Sequence, residues 1–441
     1  MTVRLRETLR EATNDLPSYP VYQRALATAR RTRRRSAAAS AAVVILLAAL
    51  VWTVPLPQVT DTPASAGSGA LPDQVVIPPA FSLQVTDPFP LGAAAVAFSG
   101  MGGDEDGTVG VVSADTDRYR VLHVGVAAPA GEEVLLSPDG KHLAYQSDGM
   151  IAGPQVGVVN LTNRSVKKVP AVADGSLLSR PLGWSRDGRR LVVVDTVPVD
   201  AERSEHRQVL SLVELATGAA VHLATTGNTD SSLVPGYAVA FAPDNQRLAL
   251  QIDDTVIVTD LVGTPGPSFR LPADTVLAGK GAWTPDGRAL TVVNWQDDGW
   301  TLSTIDPTTG AGLADLDLPA VSGVTAIRLL GWGPDGSALV VAYQPNPRGV
   351  PSVMGIDQRT SYGHVHTVRL LSLTPAAAPV TRMTAPDEVR AVDVADNLIA
   401  AGRTRVADPP QDRFGPRIWF WLVVGLAVVA VFFGRRWHMT R

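Results

Sequence analysis

Three short clusters in this 441-residue chain hold side chains of the kind that do chemistry. His364 and His366 stand two apart on an extended segment, which puts both imidazoles on one face as in a metal-binding pair. No third ligand accompanies them, so exposed histidines without a metal are expected. Gly183-Trp184-Ser185-Arg186-Asp187 has the outline of a nucleophile elbow, but the closing glycine is missing and the serine belongs to a turn that recurs elsewhere. Asp104, Asp106 and Thr108 match the start of a calcium loop without its terminal glutamate, and predict an acidic turn. The chain has no cysteine, which excludes disulfides, thiolate metal sites and thiolate nucleophiles. The expectation is a protein that is not an enzyme, with no catalytic residue, no metal and no cofactor.

The elements that position these residues repeat. Read in register, the middle of the chain contains Leu136-Ser137-Pro138-Asp139-Gly140-Lys141, Trp184-Ser185-Arg186-Asp187-Gly188-Arg189, Phe241-Ala242-Pro243-Asp244-Asn245-Gln246, Trp283-Thr284-Pro285-Asp286-Gly287-Arg288 and Trp332-Gly333-Pro334-Asp335-Gly336-Ser337. The aspartates are 48, 57, 42 and 49 residues apart, and Leu143, Leu191, Leu248, Leu290 and Leu339 hold the same place after each motif. Proline presets φ for a turn, aspartate bonds to nearby amides, and glycine takes the left-handed conformation that returns the chain to a strand, so each motif predicts a hairpin. Asn245 replaces glycine as the next most tolerant residue at positive φ. The aromatic before each turn is expected to pack between neighbouring repeats. A second hairpin recurs between the first set, at Gln208–Leu223, Thr255–Leu271, Trp300–Leu318 and Thr367–Met383. Two hairpins per period make four antiparallel strands, the unit of a β-propeller blade.

Over residues 93–402 this pattern resembles the WD40-like propeller repeat of the TolB type, in which an aromatic, a small residue, Pro-Asp-Gly and a basic residue mark each blade. The resemblance implies an all-β propeller and a habit of binding proteins or small ligands. Seven blades are expected, with six as the alternative. An inner hairpin at Ala93–Gly110, the five motifs, and a last pair at Val389–Ala401 turning at Asp396-Asn397 make the count, and Gln74–Val85 is expected to supply the strands that close the ring. The long insertions Asp195–Gln208, Ala224–Tyr237 and Gln344–His366 fall, by strand parity, on the face opposite the Pro-Asp-Gly turns. Long loops on a rigid scaffold are where binding residues usually reside, so Arg203, His206, Arg348, Arg359, Tyr362 and His364 are the candidate partner-binding residues.

The net charge of −4 hides an asymmetry. Residues 1–35 carry nine arginines and three acids, whereas residues 57–415 carry 25 basic and 39 acidic side chains. An acidic body excludes nucleic acid as its partner. Only four basic residues are lysine, a skew toward arginine that suggests a high-GC bacterial genome. Ser36–Val54 is uncharged over 19 residues and follows Arg30, Arg31, Arg33, Arg34 and Arg35, which predicts a membrane-spanning helix of roughly 28 Å. Ile418–Phe433, flanked by Trp419, Trp421 and Trp437, predicts a second. The expected organisation is a basic cytoplasmic leader at 1–35, a transmembrane helix at 36–54, a linker at 55–73, the propeller at 74–407, a linker at 408–417, a second helix at 418–434 and a cytoplasmic tail at 435–441. Membrane lipid would then contact both helices, with the propeller outside the plasma membrane and both termini in the cytoplasm. Residues 1–30 resemble the leaders of actinobacterial membrane proteins that communicate with sigma factors, which implies a possible cytoplasmic partner. The expected function is a binding or scaffolding module of the cell envelope, engaging an extracytoplasmic protein or small ligand. The alternatives are an envelope enzyme of the lyase or lactonase type using the propeller channel, and a transmembrane regulator of a cytoplasmic partner.

Overall fold

A computed structural model describes residues 69–418 except 101–106, 126–127, 148–152, 201–204, 228–232, 297–298, 314–315, 348–358, 361–363, 411–413 and 416, with a few further positions up to 428. The five recurring motifs fold as their residues dictate. In each, the aspartate Oδ1 accepts the amide two residues on, from Lys141 at 3.0 Å, Arg189 at 3.0 Å, Gln246 at 2.8 Å, Arg288 at 3.1 Å and Ser337 at 3.1 Å. Where a hydroxyl is present, Ser137, Ser185, Thr284 or Ser337 donates to the same oxygen. The residue that turns the chain back has φ of 70° at Gly140, 67° at Gly188 and 55° at Asn245. Asparagine therefore does take the left-handed position that the other repeats reserve for glycine.

Strand β1 (Leu71–Pro72) is followed by β2 (Ala94–Ser99), β3 (Thr108–Ser113) and β4 (Tyr119–His123). Blade two comprises β5 (Val134–Leu136), β6 (His142–Ser147), β7 (Gln155–Asn160) and β8 (Val166–Pro170). Blade three comprises β9 (Leu178–Trp184), β10 (Arg190–Pro198), β11 (His206–Glu214) and β12 (Ala220–Thr225), and blade four β13 (Val239–Phe241), β14 (Arg247–Ile252), β15 (Thr255–Asp260) and β16 (Pro265–Arg270). Blade five comprises β17 (Thr275–Leu277), β18 (Leu290–Gln296), β19 (Gly299–Ile305) and β20 (Val321–Ser322), and blade six β21 (Ala326–Trp332), β22 (Ala338–Pro345), β23 (Val365–Leu373) and β24 (Val380–Thr384). The chain then adds β25 (Ala391–Val394), the short helix α1 (Asp396–Ala401) and β26 (Thr404–Arg405). β25 pairs with β2, so blade one has the order β25-β2-β3-β4.

The propeller is therefore all-β with six four-stranded blades, which corrects the expected seven. The N-terminal hairpin and the C-terminal pair were each expected to make a blade, whereas they are two parts of the same one. Asp396-Asn397 is not a turn but the start of α1. Gln74–Val85 does not close the ring; around it are single parallel bridges, Gln74 to Thr384 and Gln84 to Val121, at the outer edges of blades six and one. Closure falls to β25 because it is the fully buried strand of the C-terminal segment, with Ala391, Val392 and Val394 all apolar and enclosed.

The aromatics before the turns staple the blades. The indole N–H of Trp184 donates to Leu135 O at 3.1 Å, that of Trp283 to Ala240 O at 3.0 Å, and that of Trp332 to Gly281 O at 2.9 Å, in each case in the preceding blade, the first two on its inner strand and the third just after it. A buried indole needs a partner for its N–H, and the neighbouring blade's backbone is what lies in reach.

Among the described residues no helix is long and apolar enough to cross a membrane. The expectation of two membrane-spanning helices is corrected to that extent: the described residues support neither span. Residues 36–54 lie outside the described residues, as does the leader, and 418–434 are described only at scattered positions.

Candidate functional site

The six inner strands leave a central channel whose charged side chains come from different blades. Lys280, just after β17, places its Nζ 2.8 Å from Asp393 Oδ1 and 2.7 Å from Asp396 Oδ1. Burial alone would lower the pKa of this ammonium, but the two carboxylates outweigh it and hold the group above its ordinary value. An ammonium held in its protonated form by two carboxylates has no lone pair for nucleophilic attack. The other oxygen of Asp393 accepts the Leu136 amide at 2.8 Å, and Arg186 reaches Asp396 at 3.5 Å. The space between these groups is a cavity of about 30 Å³, lined by Leu136, Pro138, Trp184, Arg186, Lys280 and Asp396 among others. A space of that size has room for a water molecule and not for a substrate.

Helix α1 closes the channel at the face of the Pro-Asp-Gly turns. The Asn397 amide donates to Pro138 O at 2.9 Å, and the helix stops at Gly402, which has φ of 64°. Toward the other face stands a second group. Arg328, 1% exposed on β21, donates to Val392 O at 2.8 Å and to Gly131 O. Tyr343 on β22 donates its hydroxyl to Glu132 Oε1 at 3.1 Å, and the Tyr237 hydroxyl donates to Ile327 O at 2.8 Å. Burial pushes the Glu132 carboxyl up to about 7, against the opposing influence of the Arg328 charge and the Tyr343 hydroxyl. Carboxylates do converge on the channel, as an enzyme would require, but each already engages a lysine, an arginine or a tyrosine. None of these residues was found from the sequence. The available signals were a lone arginine inside the apolar run Ala326–Leu330 and one of only four lysines set between Gly279 and Gly281.

Of the six residues expected to bind a partner, Arg203, Arg348 and Tyr362 lie outside the described residues. His206 begins β11, paired with Pro198, so much of the expected loop Asp195–Gln208 is strand and only residues 199–205 connect β10 to β11. His364 precedes β23, and its carbonyl accepts the Asn346 amide at 2.9 Å. Arg359 lies with its guanidinium 5.9 Å from the Trp295 ring and 5.8 Å from the Trp300 ring, at the end of the β18–β19 hairpin. Arg359 and His364 therefore share one insertion of blade six, whereas His206 belongs to blade three, across the ring. The histidine pair is divided as well: His366 Nε2 faces Asp387 at 3.5 Å, and no group of three or more ligating residues occurs among the described residues. Ser185 donates to Asp187 at 2.6 Å inside its turn. Asp104 and Asp106 lie outside the described residues.

No protein-family profile matches the chain, and no curated protein matches it in sequence. Solved structures match in fold. TolB from Acinetobacter baumannii is 16% identical at a TM-score of 0.34, covering 66% of this chain and 66% of its own, just under two thirds. The oligogalacturonate lyase of Vibrio parahaemolyticus is 12% identical at 0.40, covering 63% and 71%. The propeller domain of the trilobed protease from Pyrococcus furiosus is 13% identical at 0.36, covering 68% and 86%. Two of these three belong to enzymes, so the expectation that the chain is not an enzyme, which rested on scarcity of motifs, finds no support in its structural neighbours. At such identities the likeness concerns architecture alone.

Proposed function

We propose that this chain is a protein-binding propeller of the cell envelope, whose partner lies across the face opposite the Pro-Asp-Gly turns. The observation that supports this reading is the contrast between the two faces. On the turn face the five motif loops are short and stereotyped, their polar groups are spent on one another, and α1 fills the mouth of the channel. On the opposite face β10, β12 and β22 end and β11, β13 and β23 begin, and there Trp295 leaves 41% of its surface exposed beside Arg359. An exposed tryptophan next to an arginine is the composition of an interface anchor. The cavity beside Lys280 and Asp396 has room only for water, which favours a macromolecule spread over loops rather than a small ligand held among those charges.

The test is affinity capture of partners from the source cells by the full chain, compared with a variant in which residues 346–364 are replaced by a four-residue turn. The shortened variant is expected to lose the captured partner and to unfold at nearly the same temperature. Retained binding after that deletion, with loss on substituting Lys141, Arg189 and Arg288 on the turn face, would overturn the reading.

A further inference from the structure

The channel's buried charges take no part in binding on the outer loops, yet burying charge is costly unless something is gained. What they share is the closing strand. β25 arrives last, has no covalent continuity with β2, and pairs with it over only four residues, from Val96 opposite Val394 to Ser99 opposite Ala391. Three consecutive residues of β25 are bonded to three further blades. Val392 O accepts from Arg328 of blade six at 2.8 Å. The Asp393 carboxylate accepts the Leu136 amide of blade two at 2.8 Å and meets Lys280 of blade five at 2.8 Å. Val394 O accepts from the same Lys280 at 2.5 Å, and Lys280 also reaches Asp396, the first residue of α1. One lysine thus grips both the closing strand and the helix that follows it.

The chain makes room for this arrangement at a conformational cost. Gly131, Gly236 and Gly279 approach from blades two, four and five with φ of 82°, 82° and 117°, and a Cβ on any of them would strike Arg328, at 2.4, 3.0 and 2.8 Å respectively. Three glycines at positive φ, from three blades, thus line one arginine side chain at distances that leave no room for a Cβ.

We propose that Arg328 and Lys280 form a clasp on the closing strand, and that its release frees β25 and α1 together, opening the channel from the turn face while β2–β24 stay folded. Local opening of a unit held by few contacts is a general property of folded chains; here the clasp sets which unit opens.

Native-state hydrogen exchange on the full chain tests this. Amides of residues 391–401 and of Leu136, whose N–H is held by Asp393, are expected to exchange through one common opening, at least tenfold faster than Val239–Phe241 on the inner strand of blade four. Lys280→Met should accelerate that opening a further tenfold and leave Val239–Phe241 unchanged. Gly131→Ala, which pushes on Arg328 without removing a charge, should act on the same residues. Exchange of 391–401 only together with the whole molecule, or a uniform loss of protection in either variant, would overturn the proposal. Should neither variant fold, the comparison within the unaltered chain decides alone.

Discussion

Glu132 and the turn aspartates pull the pH dependence of stability in opposite directions. The folded-state pKa of Glu132 is raised, from an ordinary 4.5 to about 7. Folding therefore takes up a proton in that interval, and the contribution is fully present below about pH 4.5 and lost as pH rises through 7, a swing of roughly 3 kcal/mol. Asp139, Asp187, Asp244, Asp286 and Asp335 are held below their ordinary value by the amide and hydroxyl donors of their turns, which for Asp139, Asp187 and Asp244 prevail over partial burial. Their contribution is present above about pH 4 and lost as pH falls through the depressed values. Thermal unfolding across pH should accordingly show greatest stability at about pH 4 to 5, and Glu132→Gln should flatten the decline between pH 5 and 7 while leaving the acid limb in place. An unchanged decline in that variant would mean another group carries it. Asp187→Ala, which removes the acceptor for the Arg189 amide and the Ser185 hydroxyl, is expected to cost about 1 kcal/mol in urea unfolding.

At the scale of the element, the indole hydrogen bonds separate two roles that packing alone would merge. Trp283→Phe keeps most of the apolar bulk and removes only the donor to Ala240 O, leaving that buried carbonyl without its side-chain partner. The expected loss is about 1 to 2 kcal/mol. Trp283→Ala, which also empties a site that is fully enclosed, should cost about 3 to 5 kcal/mol. An undiminished stability in Trp283→Phe beside a large loss in Trp283→Ala would show that the hydrogen bond adds nothing beyond packing. The motif turns and the hairpins that follow them were legible because their signals are local: proline, aspartate and a residue tolerant of positive φ lie within one turn. The Arg328 and Lys280 groups were not legible, since their partners lie up to about 200 residues away along the chain and no spacing rule connects them.

For the whole molecule, closure is the sensitive step. A chain ending at Glu388 would keep β2–β24 but leave blade one with three strands and expose the edge from Val96 to Ser99, four residues that are buried in the closed ring. It would also strip Lys280 of both carboxylates and Arg328 of one acceptor. Such a truncation is expected to keep a cooperative transition in urea at a lower midpoint and to bind hydrophobic dyes along the bared β2 edge, whereas ending at Arg405, after β26, should preserve the full midpoint. An unchanged midpoint without dye binding after truncation at Glu388 would show that the ring gains nothing from its last strand. Beyond that strand the two arms support each other: β1 and β26 run parallel, and Arg405 pairs with Asp117 at 2.5 Å.

Five spaced copies of one turn motif, with a second hairpin recurring between them, were enough to determine that the chain is a propeller, that its blades have four strands, that the aromatics before the turns pack between blades, and which connections leave on which face. Each of these follows from short-range constraints on φ, hydrogen bonding and strand alternation, which act within a few residues and repeat. The number of blades did not follow, because the terminal segments each carry part of one blade and only the ring's closure shows that they share it. Nor did the channel. Its cations and carboxylates stand far apart along the chain and carry no common pattern, and they meet only because six inner strands converge on one axis, where buried charge must find its opposite or a backbone carbonyl.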